Sequence, residues 1–512
     1  MAQMINLKSI IFNGMDITQI DVQVQLSAGL AKPEFYIIGL ADRAVKESAE
    51  RIRNALSALN LSLPSKRLTV NLSPADIEKT GAHFDLPIFC GILCAMDILP
   101  KEEMSKYLII GEIGLDGAIL RTGGVLPASV WANNNGLGII CPGVQGGEAR
   151  WAGHTNILAP NHVLDLINHF RGTQILPLPK TIQIVNNNDV KVGDLAEVHG
   201  QEAAKRALEI AAAGGHAMLM VGPPGSGKTM LASRLPTIMP EMTPDEILET
   251  SIIYSIAGKL DNQSLITNRP FRSIHHTASA VALAGGGSDA KPGEISLSHN
   301  GVLFLDELPE FNRSTLEILR QPMESGKIVI SRAKRNATYP AHFQLIAAMN
   351  PCPCGHLGNA ALSCSRAPRC AEAYQNKISG PLLDRIDLHV DVDAVNPWEM
   401  KSNTDSYAET SETIRKRVVA ARARQISRQG YVNALLDGAD IEKYVVLTDE
   451  LTNFLNAAAE KMGMSARGYN RIKRIARTIA DLRGDEKIIM SDLAESLSYR
   501  PINRGKYGVN KK

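Results

Sequence analysis

Disulfide-forming cysteine, long apolar runs and an overall charge of one sign are what these 512 residues lack. Seven Cys are too few for a disulfide scaffold, and four of them crowd between Cys352 and Cys370, which directs attention to a metal site or reactive thiols in a reducing compartment. No apolar run approaches the roughly 18 to 20 residues of a membrane-spanning helix. The greasiest stretches, Ala217 to Val221 and Val302 to Leu305, are strand-sized. The opening segment MAQMINLKSIIFNG has no basic stretch followed by a long apolar one and a small-residue cleavage site, so a cytoplasmic protein with no membrane partner is expected. Internal repeats and low-complexity tracts are absent too. The formal net charge is only +2, from 55 Lys plus Arg against 53 Asp plus Glu, a balance that at face value argues against a nucleic-acid binder.

A composition of 44% hydrophobic and 21% charged residues buries a core easily, and the length suggests about three domains. Residues 1–173 alternate short β-type runs (Ile20 to Gln25, Phe35 to Ile38, Arg67 to Leu72) with a helical stretch at Ala44 to Leu59, an α/β pattern. Residues 174–193, with paired prolines and an Asn run, read as a linker. Within 194–398 the runs AMLMV, VLFL and FQLIAAM alternate with helical or glycine-rich segments, as in a parallel sheet. A polar stretch, MKSNTDSYAETSE, then leads into a helical part, 399–512.

Gly222, Pro223, Pro224, Gly225, Ser226, Gly227, Lys228 and Thr229 fit GxxxxGK[ST] between a strand and a helix. In that context backbone N–H groups close around phosphate, the helix N-terminus adds its positive end, Lys228 reaches the β- and γ-phosphates of ATP, and Thr229 ligates magnesium. Downstream, GVLFLDELPEF ends an apolar strand in Asp306 and Glu307, the first placed for the magnesium and the second for orienting the attacking water. A third strand, Phe343 to Met349, would set the Asn350 amide beside the γ-phosphate.

PGEISLSHNGVLFLDELPEF, YPAHFQLIAAMNPCPCG and SGPLLDRIDLHV, with HGQEAAKRALEIAAAGGH before the phosphate loop and RPFRSIHHTAS after it, resemble the AAA+ magnesium-chelatase-like family, in its ComM/YifB branch. The resemblance covers nearly the whole chain. It implies a Lon-protease-like (S5-type) α/β domain, a central AAA+ ATPase with a parallel sheet and a helical lid. Asn350 then looks like sensor 1, Arg385 like an arginine finger acting on a neighbouring subunit's ATP, and Arg467 like sensor 2. A homo-hexamer using ATP and Mg2+ is implied, acting on single-stranded and branched DNA as a helicase in branch migration, alongside recombination proteins, when incoming DNA recombines in natural transformation. The alternative is a chelatase-type motor for metal insertion or protein remodelling.

The segment KIVISRAKRNATYPAHF reads as a hairpin with Arg332, Lys334 and Arg335 near its tip. In the related replicative helicases of the MCM type, a basic residue at the position matching Arg332 contacts DNA. A second candidate pore element is LAGGGSDAKPGE, 283–294, where three glycines in a row suggest a mobile loop. His275 and His276 are adjacent, face opposite sides of a strand and are expected to be structural. Four thiolates at Cys352, Cys354, Cys364 and Cys370 could close a zinc site, yet C-x-C-x9-C-x5-C lacks the C-x2-C pairs of an ordinary zinc knuckle. Against the Lon pattern, His83 stands at the serine position and Leu126 at the lysine position, so peptidase chemistry is not expected. Cys90, Cys94 and Cys141 read as packing residues. Finally, residues 401–512 hold 21 Lys plus Arg against 14 Asp plus Glu, a net of +7, which leaves −5 for the remainder. Arg415, Lys416, Arg417, Arg422, Arg424 and Arg428 mark one basic helix, and Arg467, Arg471 and Arg474 share a face of another that reads as solvated.

Overall fold

A computed structural model describes residues 4–29, 34–153, 156–180, 193–260, 264–287, 290–332, 335–355, 357, 369–394 and 408–500. The N-terminal part is built on a seven-stranded mixed sheet in the order Glu34–Ile38, Lys66–Ser73, Asp16–Gly29, Met4–Asn13, Tyr107–Ile109, Gly138–Ile140, Ile157–Leu158. Antiparallel pairing holds its centre and parallel pairing its flanks. The helix Asp85–Ala95 is buried throughout, as its apolar sequence demands, and its one carboxylate, Asp85, is satisfied by Ser48 and by Arg51 Nε at 2.6 Å. Cys90, Cys94 and Cys141 are buried here, and burial pushes the Cys94 thiol up to about 12. His83 and Leu126 are buried as well, His83 Nε2 lying 3.0 Å from Ile10 O.

The second unit is a five-stranded all-parallel sheet ordered Phe271–Ile274, Val302–Leu305, Gln344–Met349, Met218–Val221, Leu388–Asp391. Its three central strands are buried at every position, which is why they read in sequence as unbroken apolar runs rather than alternating ones. Parallel strands all end at one edge, and that edge carries Gly222, Asp306 and Asn350. The hairpin Lys327–Arg332 and Arg335–Pro340 stands off this body, with Ile328, Ile330, Ala337 and Tyr339 buried beneath it. The N-terminal part braces it at the turn after Met4–Asn13, where Gly14 bridges Thr338 and the Met15 amide donates to Thr338 O. A Cβ on Gly14 would sit 2.3 Å from that oxygen, so the approach requires glycine. A second junction is polar: Ser255 Oγ donates to the buried Glu148 at 2.5 Å, and the Gly124 amide donates to Ser255 O. Residues 181–192 and 395–407, in or beside which two of the expected boundaries fall, lie outside the described residues.

The C-terminal helices do not stand apart from the sheet. Ile414, Val418 and Ala421 of Ser411–Gln429 and Ile475 and Ile479 of Ala466–Arg483 share one core with the strands. The solvated face expected for Arg471 and Arg474 is corrected by their partners, and the basic helix before it is paired within the chain too. Arg471 is buried and donates to Asp384 O, and Arg417 pairs with Glu209 and Glu409. Arg428 is paired with Asp481, and Arg422 caps the helix Glu202–Gly214 through Ala212 O. Beneath them Asp387, at the entry to the edge strand, gathers His216 Nδ1 at 2.9 Å, Arg474 at 3.7 Å and Arg471 at 3.9 Å, while His216 Nε2 reaches Thr478 Oγ1 at 2.8 Å.

Burial alone would raise the Asp387 carboxyl, but Arg474, His216 and Arg471 outweigh it and hold it below the ordinary aspartate value. Its contribution is therefore full at neutral pH and fades as pH falls through the range below about 4. Asp387→Ala, which strands buried cations, is expected to cost about 3–5 kcal/mol at pH 7 in urea denaturation. The gap to the native chain should narrow below about pH 4, and a gap that stays constant from neutral to acid would contradict this account.

Candidate functional site

The phosphate loop follows from what flanks it. Val221 ends a buried strand, Lys228 begins the helix Lys228–Ile238, and the loop between them must turn back sharply. Gly225 and Gly227 do so at φ of +76° and +86°, with open space where a Cβ would be, so the loop's concave side is clear for a ligand. Gly222 is needed for another reason, since a Cβ there would lie 2.0 Å from Val392 O.

Lys228 Nζ, nearly buried, donates to Gly222 O and Pro223 O at 2.8 Å each and lies 3.3 Å from Asn350 Oδ1. Among the described residues no carboxylate forms an ion pair with it. Burial draws its ammonium below the usual lysine range, against the opposing pull of Asp306 and Glu307. A cation this dry, with its hydrogen bonds spent on loop carbonyls, suits a polyphosphate anion. Thr229 Oγ1 donates to Asp306 Oδ2 at 2.8 Å, bringing a hydroxyl and a carboxylate to one point. Such hard oxygen donors fit Mg2+ held jointly with substrate phosphates.

Glu307 adopts φ +51° and ψ +48°, a left-handed conformation costly for a residue with a side chain. Its amide donates to Asp306 Oδ1 at 2.9 Å, and its carboxylate meets His276 Nδ1 at 3.2 Å. The His276 ring lies 4.1 Å from that of His275 and edge-on to Phe311. Both histidines lie beyond the strand Phe271–Ile274 with their rings together, which corrects the expectation that they face opposite sides of a strand. The signal was in the strand register: Ile274 pairs with Leu305, so the residues just beyond each must meet.

Lys228, Thr229, Asp306, Glu307 and Asn350 therefore come together from three strand ends. Arg385 does not join them. It donates to Pro381 O at 2.6 Å and pairs with Glu324, a partner the sequence reading did not find. Arg467 is exposed on the first turn of Ala466–Arg483 and, among the described residues, makes no ion pair. Arg332 and Arg335 form the last paired rung of the hairpin, and Lys334 lies outside the described residues. The glycine-rich element is shorter than expected and anchored at both ends: Gly285–Gly286 pairs with Lys291–Pro292, while Leu283 and Ala290 are buried.

Cys352 and Cys354 approach to 3.2 Å between sulfurs, and Cys370 lies in the helix Arg369–Gln375. Cys364 lies outside the described residues, and among those described no group of three or more His, Cys, Asp or Glu is placed to hold a metal. The zinc expectation gains no support.

Comparison with known proteins matches residues 194–400 to the family described as magnesium chelatase, subunit ChlI. Residues 22–144 match subunit ChlI of Mg-chelatase, and residues 408–500 its C-terminal part. Competence protein ComM of Haemophilus influenzae is 44% identical over 96% of this chain and 96% of its own. The protein YifB of Escherichia coli is 41% identical with the same coverage of both. The magnesium-chelatase 38 kDa subunit of Chlorobaculum tepidum is 24% identical over 42% of this chain and 49% of its own. With a phosphate loop, a paired acidic strand end and a polar third strand end on one parallel sheet, the chain belongs to the AAA+ magnesium-chelatase-like family, in the branch that contains ComM and YifB.

Proposed function

We propose that this protein is an ATP-driven DNA translocase that works as a homo-hexameric ring, promoting branch migration of single-stranded and branched DNA with recombination proteins during natural transformation. The observation that carries the ATPase half is the meeting of Thr229 with Asp306 beside the buried, carboxylate-free Lys228. Lys228 would hold the β- and γ-phosphates, with Thr229 and Asp306 holding Mg2+. The ion, when bound, neutralises phosphate charge. Glu307 would orient the attacking water once His276 releases it, Asn350 would fix the γ-phosphate, and Arg385 of a neighbouring subunit would stabilise charge in the transition state. Arg467 is the proposed sensor 2.

The DNA half is supported by coverage. The relative named for competence aligns over 96% of this chain, whereas the chelatase subunit aligns over 42% of it and 49% of its own length, which weakens a metal-insertion motor as the alternative. The basic rung Arg332 and Arg335, with Lys334 between, would contact phosphates, so the near-zero total charge is no obstacle.

ATP hydrolysis should be stimulated by single-stranded DNA at low salt, and its absence would sink the DNA reading. Lys228→Ala should abolish turnover. Glu307→Gln should keep ATP binding in a fluorescent-nucleotide assay while hydrolysis falls about 100-fold or more; equal turnover in either variant would mean that the loop is not the active site. Arg385→Ala should lose about 10³-fold in rate. Mixing it with Lys228→Ala should recover activity, because each supplies what the other lacks across the subunit boundary. Arg332→Ala and Arg335→Ala should each weaken oligonucleotide binding and lower the slope of log affinity against log salt by about 1. An unchanged slope would remove the hairpin from the DNA path.

A further inference from the structure

Arg385 is held at two points in its own chain, by Pro381 O and by the Glu324 carboxylate, while its buried Nε has no partner among the described residues. Glu324 belongs to the short helix Arg320–Ser325, whose C-cap, Gly326, leads directly into the first hairpin strand at Lys327. Arg320, one turn earlier, is already paired with Glu317 at 2.7 Å. The foot of the hairpin is stiff. The Ala341 amide donates to Gly326 O at 2.8 Å, and Ser325 Oγ donates to Gln321 O and lies 3.0 Å from Lys327 O. Gly326 turns at φ +64° so tightly that a Cβ would lie 2.1 Å from the His342 ring. Leu382 and Ile386, on either side of Arg385, share one core with Ile328, Ile330, Ala337 and Tyr339 of the hairpin. One ion pair, spanning 61 residues, thus ties the Arg385 segment to a rigid foot whose other end carries Arg332 and Arg335.

We infer that Glu324 is a positioning residue for Arg385: it parks the guanidinium against the hairpin foot, and displacement of that foot when the hairpin engages nucleic acid frees Arg385 for the neighbouring subunit's nucleotide. This rests on the finger role proposed for Arg385 above. Packed elements with two arrangements transmit such a shift without a large change in fold. Glu324 is 58% exposed, so the pair is weak, as suits a contact made and broken in each cycle.

The test is steady-state ATP hydrolysis by the full chain across ATP concentrations, with and without an oligothymidylate. Glu324→Gln should raise kcat without DNA about two- to fivefold, the range of an exposed ion pair, with KM for ATP unchanged. The stimulation ratio should shrink by the same factor, and Glu324→Asp should restore much of it. An unchanged basal kcat in Glu324→Gln overturns the inference. A fall in kcat overturns it too, because Glu324 would then be a support and not a restraint. If the native chain shows no DNA stimulation, the DNA reading fails, and Glu324 is judged on the basal kcat alone.

Discussion

A parallel sheet covered on both faces can expose polar groups only at its strand ends, and in this protein everything chemical depends on that constraint. The strands Met218–Val221, Val302–Leu305 and Gln344–Met349 are sealed from water along their length. Their carboxyl ends are where the chain first meets solvent, so Lys228, the Asp306–Glu307 pair and Asn350 converge there from three separate stretches of sequence. The convergence is electrostatically incomplete. A buried ammonium rests on loop carbonyls, the Asp306 carboxylate is taken by Thr229, and Glu307, in a strained backbone conformation, meets His276. Such an arrangement is poised for an anion.

Opposite in character is the Asp387 cluster, where a buried carboxylate is fully surrounded by His216, Arg471 and Arg474. It fastens the C-terminal helices to the edge strand two residues beyond Arg385. The C-terminal helices and the Arg385 segment therefore share one anchor, while the Arg385 guanidinium itself is held by Pro381 O and by the Glu324 carboxylate. A buried carboxylate met from several sides thus contrasts with the half-exposed Glu324 that holds Arg385.

Local pattern carried much of this into the sequence. The phosphate loop, the acidic strand end and the apolar strands are contiguous, and full burial makes the strands unbroken runs. What pattern missed lies between elements. Arg471 and Arg474 sit on the polar side of an amphipathic helix and read as solvated, because nothing local reveals that Asp387 comes in from another element to meet them. His276 was read as structural since only the register Ile274 to Leu305 places it against Glu307. Glu324 carries no motif at all. In the cysteine cluster Cys352 and Cys354 meet, Cys364 lies outside the described residues, and the zinc expectation gains no support.

The N-terminal part adds a last element, bracing the hairpin at Gly14 and the helix end at Ser255. The central claim is that phosphate chemistry at Lys228 drives movement of DNA at the hairpin. Its most direct measurement is the separation of a labelled four-way junction by the full chain with ATP and Mg2+. The account predicts strand separation that requires ATP hydrolysis and ceases in Glu307→Gln despite retained junction binding. An intact junction alongside active ATP turnover would contradict it.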